Sequence, residues 1–220
     1  MNRVISEMSG QFNELFDEWS TVYDDTVAGS DLEYKEVFKS YDYILETIAT
    51  RSSGVVLEFG VGTGNLTKKL VESNLEVFGV EPSKKMLAIA KQKLPEVTIE
   101  EGHFLDFPFM DKKVDTIVSS YAFHHLTDQE KEEAIQIYER MLNKGGKIVF
   151  GDTIYKDEQA QEQIYLDAKN KGFDRLANDL NTEYYTTIPI LDKILTKHHF
   201  TTNYEQINDF VWIIEAKKRE

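Results

Sequence analysis

In the stretch VVLEFGVGTGNL, residues 55–66, an apolar run carries one acid, Glu58, and then breaks into Gly60, Gly62 and Gly64. Glycines at that spacing strip side-chain bulk from a turn, so a ligand can approach the backbone where a helix starts at about residue 64. The dinucleotide pattern G-x-G-x-x-G would place a glycine at 65, where this chain has Asn65. A pyrophosphate seated on helix-terminal amides would be repelled by Glu58, whereas an ammonium or sulfonium cation would be attracted to it. A second acid, Glu81, closes the apolar run EVFGV ahead of Pro82 and Ser83. A carboxylate there accepts hydrogen bonds from the 2′- and 3′-hydroxyls of a ribose, and Ser83 is the better cap for the following helix. The two acids together describe a cationic, ribose-bearing ligand, which fits S-adenosylmethionine (AdoMet).

Further chemistry-bearing residues lie after the acids. Gly102-His103-Phe104-Leu105-Asp106 forms an irregular loop, and YAFHHLTDQEK places Tyr121, His124 and His125 at a turn into a helix capped by Thr127 or Asp128. These three are the candidate general bases or acceptor contacts. Adjacent histidines are expected to diverge, so one packs or caps while the other faces an acceptor. With no cysteine and no H-x-x-x-H spacing, the pair is read as no metal site. Phe12, Phe16, Trp19 and Tyr23 form an aromatic stripe near the N-terminus, and Tyr184–Tyr185 are a further candidate wall for the acceptor.

The elements that must position these residues follow from periodicity. Apolar runs at 55–59, 75–80, 97–101, 114–120 and 146–151 predict strands, and 64–73, 83–93 and 128–142 predict helices between them. This alternation predicts a parallel sheet in an α/β fold. Helices are also predicted at 1–24, at 33–50, within a polar excursion to about 180, and near 187–198. The runs TTNYEQI and FVWIIEAKK, separated by Asn-Asp, predict a terminal antiparallel hairpin.

Composition sets the outer limits. The 220 residues suffice for one domain with a sizeable core. The 39 acids against 25 Lys and Arg give a formal charge of −14, which disfavours nucleic acid and anionic membranes as partners. The absence of cysteine removes disulfides, thiolate metal sites and thiol nucleophiles. No apolar leader and no run near the ~18 residues of a membrane span is present, so a cytoplasmic protein is expected.

The segments E58-F-G-V-G-T-G64, V80-E81-P82-S83, D115-T-I-V-S-S-Y-A-F-H-H125 and L142-N-K-G-G-K-I-V-F150 occur in order over about 55–151. They resemble the successive motifs of class I AdoMet-dependent methyltransferases. With FDEWSTVYDDTV near the N-terminus, the chain is similar over nearly its whole length to the bacterial YrrT-like methyltransferases. The resemblance implies a doubly wound, Rossmann-like, seven-stranded sheet, mostly parallel with a C-terminal antiparallel hairpin and helices on both faces. It implies one domain, 1–220: an N-terminal helical lid (1–50), an AdoMet-binding core (54–151), a helical insertion (152–186), and a last helix with the hairpin (187–220).

By matched position, Gly60, Gly62 and Gly64 would line the cofactor with Glu58 near its amino group. Glu81 and Pro82 would flank the ribose, and Ser119 to Ala122 would pass under the methionine moiety. Trp19 and Tyr23 would belong to the lid, Tyr23 donating to the cofactor carboxylate. The family often has Asp where His103 stands, accepting from the adenine amino group. A neutral His103 would accept instead, with Asp106 or the Phe104 amide as alternatives. The implied activity is methyl transfer to a small-molecule acceptor by a monomer or homodimer. Two other readings stay open: an AdoMet-binding module without catalysis, and a nicotinamide-dependent oxidoreductase, the latter disfavoured by Glu58, Asn65 and the hairpin.

Overall fold

The computed structural model describes residues 23–109 and 111–219. Its sheet comprises β1 (Val55–Phe59), β2 (Glu76–Glu81), β3 (Thr98–Glu101), β4 (Val114–Ser120), β5 (Leu142–Thr153), β6 (Phe200–Gln206) and β7 (Val211–Lys218). Their spatial order is 3-2-1-4-5-7-6. The first five strands pair in parallel, while β7 runs antiparallel between β5 and β6. Strand β1 therefore has β2 on one side and β4 on the other. That is the point where the chain's winding direction reverses and a crevice opens at the strands' carboxyl ends.

The helices are α1 (Tyr41–Arg51), α2 (Asn65–Glu72), α3 (Lys84–Lys93), α4 (Asp128–Met141), α5 (Glu158–Asn170), α6 (Asp174–Thr182) and α7 (Ile188–Lys197). Alternation along β1 sorts the core into two layers. Val56 joins α1, α2, α5 and α6 on one face, with Ile44, Leu66, Ala168 and Leu176. Leu57 and Phe59 join α4 and α7 on the other, with Ile135, Tyr138, Leu191 and Leu195. Glu58, two residues after Val56, thus faces the first layer.

The α3 N-terminus is capped by Ser83, whose hydroxyl accepts from Met86 N–H at 3.2 Å. Thr127 caps α4 in a reciprocal arrangement with Glu130. Two elements differ from expectation. The helix expected over 33–50 begins only at Tyr41, because Ser40 takes a left-handed φ of 65° that no helix propagates through. Tyr34, Val37 and Phe38 are buried nonetheless, so their apolar spacing reflects core contacts made from turns. The hairpin loop is longer than Asn-Asp. Strand pairing stops at Gln206 and resumes at Val211, and Asn208 Oδ1 accepts from the N–H groups of Phe210 and Val211. The helix expected over 1–24 lies outside the described residues, save its last two, which begin the short turn Tyr23–Asp25. No helix of the described residues is long and apolar enough to cross a membrane.

Candidate active site

The glycine turn leaves β1 with three consecutive demands on backbone conformation: Gly60, Gly62 and Gly64 have φ of 67°, 58° and 90°. Side-chain-bearing residues avoid this region. A Cβ at Gly60 would also lie 2.7 Å from the Ala122 Cβ, so the turn after β1 and the turn after β4 approach each other without side chains between them. Glu81 fastens the turn: one carboxylate oxygen accepts from Gly62 N–H at 2.7 Å and the other from Ser83 N–H at 2.8 Å.

Glu58 is fully buried, and neither carboxylate oxygen has a hydrogen-bond partner among the described residues. Burial pushes its carboxyl up to about 8, and Glu81 adds to the rise; Thr67 faces it and moderates the rise, but the Thr67 hydroxyl falls short of hydrogen-bond geometry. The Ser119 hydroxyl at the end of β4 is likewise buried and unpaired. Buried polar atoms without partners are uncommon in folded proteins. Here both stand beside the glycine turn.

From the segment before α1, Asp24 reaches this turn. Its carboxylate accepts from Thr63 Oγ1 at 2.7 Å, from Asn65 Nδ2 at 3.1 Å and from Lys93 Nζ at 2.8 Å. Tyr23 packs beside Tyr41 and Tyr121. Burial and the Tyr41 hydroxyl raise its phenol, which stays a protonated donor. Trp19, Phe12 and Phe16 lie outside the described residues. At the β3 end, Phe104 stacks on Phe59 with ring centroids 5.2 Å apart. His103 Nδ1 accepts from Leu105 N–H at 3.3 Å, and burial lowers its pKa. The neutral ring then carries its proton on Nε2, so the remaining nitrogen is a donor, not the acceptor expected for His103.

Beyond β4 the backbone turns sharply. Tyr121 has φ of 53°, held by its N–H on Gly151 C=O at 2.9 Å, and its ring packs on Phe38 and Tyr41. Such a conformation is strained for an aromatic residue and marks a position fixed by its surroundings. A single turn of 3-10 helix, Phe123–His125, follows.

Asp152, 1% exposed at the end of β5, anchors this turn. Its carboxylate accepts from the N–H groups of Phe123 and Thr153 at 2.6 and 2.7 Å and, less closely, from His124 N–H at 3.2 Å. It also lies 2.5 Å from His124 Nδ1. Burial alone would raise Asp152, but His124 and these donors bring it below the usual carboxylate range. Burial would lower His124, and Asp152 outweighs this and raises it.

His125 pairs with Glu183 from the end of α6, Nδ1 to Oε2 at 2.6 Å, and burial with the neighbouring His124 lowers it. The two imidazoles do not diverge as expected. The left-handed Tyr121 and the tight turn bring their centroids to 4.2 Å, and one ligating atom each of His124, His125 and Glu183 lies within 4.8 Å of the others. Tyr185 stacks on His124 at 4.9 Å, while Tyr184 C=O accepts from Lys131 Nζ at 2.6 Å.

Sequence reasoning missed Asp24, Asp152 and Glu183. Asp152 carried the same signal as Glu58 and Glu81, an acid closing an apolar strand, KIVFGD. Glu183 carried none, because only the fold of the insertion brings it to His125.

The methyltransferase domain family matches residues 56–146. Uncharacterized methyltransferases of Anoxybacillus flavithermus and Bacillus cytotoxicus are 54% and 55% identical, each match covering 96% of this chain and 100% of the other. The chain belongs to the class I AdoMet-dependent methyltransferases. The magnesium protoporphyrin IX methyltransferase of Synechocystis, solved with bound AdoMet, superposes with a TM-score of 0.69 at 15% identity, covering 96% of this chain and 97% of that one. A SAM-dependent methyltransferase of Thermotoga maritima superposes with a TM-score of 0.65 at 20% identity, covering 96% of this chain and 100% of that one. Both carry the same fold. The residues at the glycine turn fit AdoMet as the cofactor of this methyltransferase: an unpaired buried carboxylate suits a cationic ligand, and Gly62 leaves space at the turn, where the nearest atom to an added Cβ is the Met86 sulfur at 3.9 Å.

Proposed function

We propose that this methyltransferase transfers the methyl group of AdoMet to a small-molecule acceptor bound between the lid and the His124–His125 turn. The observation that carries the reading is Glu58, a buried carboxylate with both oxygens unpaired beside the glycine turn. An ammonium group would relieve that cost by an ion pair in a low-dielectric site.

The cofactor supplies a methyl group already activated on a sulfonium. The chain's residues bind it and exclude water. Glu58 takes the amino group, and Gly60, Gly62 and Gly64 let the methionine portion reach the backbone. Glu81 keeps two amides in place and accepts from the ribose hydroxyls, flanked by Pro82. His103 and Phe104 border the adenine, His103 through an N–H donor. Ser119 offers its unpaired hydroxyl, and Tyr23 its phenol, to the methionine end. Trp19, outside the described residues, is assigned to the cofactor set from the sequence alone.

On the acceptor side, Tyr121, His124 and His125 form the wall and orient the attacking atom, with proximity as the main source of rate. The formal charge of −14 supports a small molecule over nucleic acid or an anionic membrane. Calorimetric titration with AdoMet, S-adenosylhomocysteine and NAD tests the cofactor reading: AdoMet and S-adenosylhomocysteine should bind and NAD should not. Incubation with methyl-labelled AdoMet and a metabolite extract tests the rest. Labelled small product with S-adenosylhomocysteine supports it, and binding without either favours a non-catalytic module.

A further inference from the structure

We propose that His124, His125 and Glu183 form a binding site for a divalent transition-metal ion of the zinc class at the acceptor end of the cleft. The donor set comes first. Two imidazole nitrogens and one carboxylate oxygen, each from a side chain no more than 13% exposed, have ligating atoms within 4.8 Å of one another. Two histidines and a glutamate are the protein ligands of a catalytic zinc site, which keeps its fourth position open. The same mixture disfavours magnesium and calcium, which take oxygen-rich shells.

The surroundings supply what a ligand set needs beyond its members. A metal-bound imidazole commonly donates its other N–H to a carboxylate that fixes tautomer and ring orientation. Asp152 does this for His124: its carboxylate lies 2.5 Å from Nδ1 and is itself held by the N–H groups of Phe123 and Thr153. Nε2 of His124 is then the ligating atom. The stacked Tyr185 ring keeps the imidazole from swinging away. His125 and Glu183, 2.6 Å apart, share a position that either a proton or a cation can occupy. A cation with bonds of about 2.0–2.2 Å to each takes the proton's place and, at a tetrahedral angle, widens the contact to roughly 3.4 Å. Asp152 and Glu183 balance the charge of the ion. Lys131 is turned aside, its ammonium donating to the carbonyls of Leu126 and Tyr184.

The ion site stands on this geometry alone; its use rests on the proposed function. In the open position a hydroxyl or thiol of the acceptor binds the ion, releases its proton to water and remains as an ion-held anion facing the methyl donor. The acceptor class is therefore a hydroxyl- or thiol-bearing small molecule.

The test uses the full chain, stripped with chelator, and Zn²⁺ as the probe. Calorimetry should give one Zn²⁺ per chain, and Co²⁺ should give the visible bands of a four- or five-coordinate site. His125→Ala and Glu183→Gln should each weaken Zn²⁺ binding by at least ~10-fold, and Asp152→Asn by roughly 10–100-fold. AdoMet affinity, measured on the same samples, should stay at the wild-type value in His125→Ala and Glu183→Gln, which shows that they fold. Wild-type protein that binds AdoMet but takes up Zn²⁺ substoichiometrically overturns the site, as does an affinity that His125→Ala and Glu183→Gln leave unchanged. Wild-type protein that binds Zn²⁺ but not AdoMet would support the ion site and overturn the cofactor assignments instead.

Discussion

The Glu81 carboxylate accepts a 2.7 Å hydrogen bond from the backbone N–H of Gly62, so the acid at the tip of β2 holds the glycine turn that follows β1. Its second oxygen receives Ser83 N–H at the start of α3. One side chain thus ties together two strand ends and a helix start before any ligand arrives.

Replacing Glu81 therefore removes a brace as well as a ribose contact. Hydrogen bonds to a charged acceptor are worth ~1.5–3 kcal/mol each, so Glu81→Ala should weaken AdoMet by roughly 100-fold or more. Glu81→Gln is the informative variant. Its amide NH₂ would face one of the two backbone N–H donors, and it should bind almost as poorly as Glu81→Ala. Amide exchange at Gly62 and Ser83 should quicken in both. Wild-type affinity in Glu81→Gln would remove the brace from the account.

A second prediction concerns Glu58 and pH. Its carboxyl stands at about 8 in the ligand-free protein, so at pH 7 it is mostly protonated and must ionise to pair with an ammonium group. AdoMet binding near pH 7 should release close to one proton, read as a dependence of the calorimetric heat on buffer ionisation enthalpy. Affinity should rise about tenfold per pH unit up to about pH 7.7–8.0, where a free α-amino group loses its own proton. The stability sign is opposite. The folded state holds the proton more tightly than the unfolded chain, so this group's contribution falls as pH rises from about 4.5 through 8. Glu58→Gln should then raise the melting temperature at pH 8 while binding AdoMet weakly and without the pH slope.

A third prediction separates conformation from contact at Gly60. Its φ of 67° costs a side-chain-bearing residue ~1–2 kcal/mol, and the added Cβ would sit 2.7 Å from Ala122 Cβ. Gly60→Ala should lower both AdoMet affinity and the melting temperature, the latter by ~2–4 °C for each kcal/mol. Adding Ala122→Gly removes the contact but leaves the φ, so the double variant should recover part of the loss. Full recovery would show that φ carries no cost here, and no recovery that the contact carries none.

What was legible in the sequence follows from how local each signal is. The five parallel strands and the helices between them came from short-range apolar periodicity, which burial on two layers enforces. Glu58 and Glu81 were legible because an acid at the end of an apolar strand contradicts its surroundings. Ser40 hid the true start of α1, since a left-handed serine has no sequence mark and the buried Tyr34, Val37 and Phe38 imitate a helical face. The His125–Glu183 pair was illegible for another reason. The two residues lie 58 positions apart, and only the packing of α6 against the turn after β4 joins them. His103 was read as an acceptor because its identity shows neither its tautomer nor the Leu105 amide that sets it.

A fourth prediction concerns how the segment before α1 is tied down. Arg175, at the start of α6, makes a two-pronged contact with Asp31 at 2.8 and 2.9 Å and meets Glu33 at 3.0 Å. Glu33 also accepts the N–H groups of Arg175 and Leu176. The segment that carries Asp24 to the glycine turn is thereby strapped to the helix that carries Glu183 to His125. The guanidinium side chain is 60% exposed, and exposed ion pairs add little to global stability. Arg175→Ala should therefore leave the melting temperature near the wild-type value. Its effect should be local: faster hydrogen exchange over residues 23–40 and a faster AdoMet dissociation rate, with association little changed. Both changes should shrink at high salt in the wild type as screening weakens the strap. Unchanged exchange over 23–40 in Arg175→Ala would mean that the core residues Tyr34, Val37 and Phe38 hold this segment without help from the ion pairs.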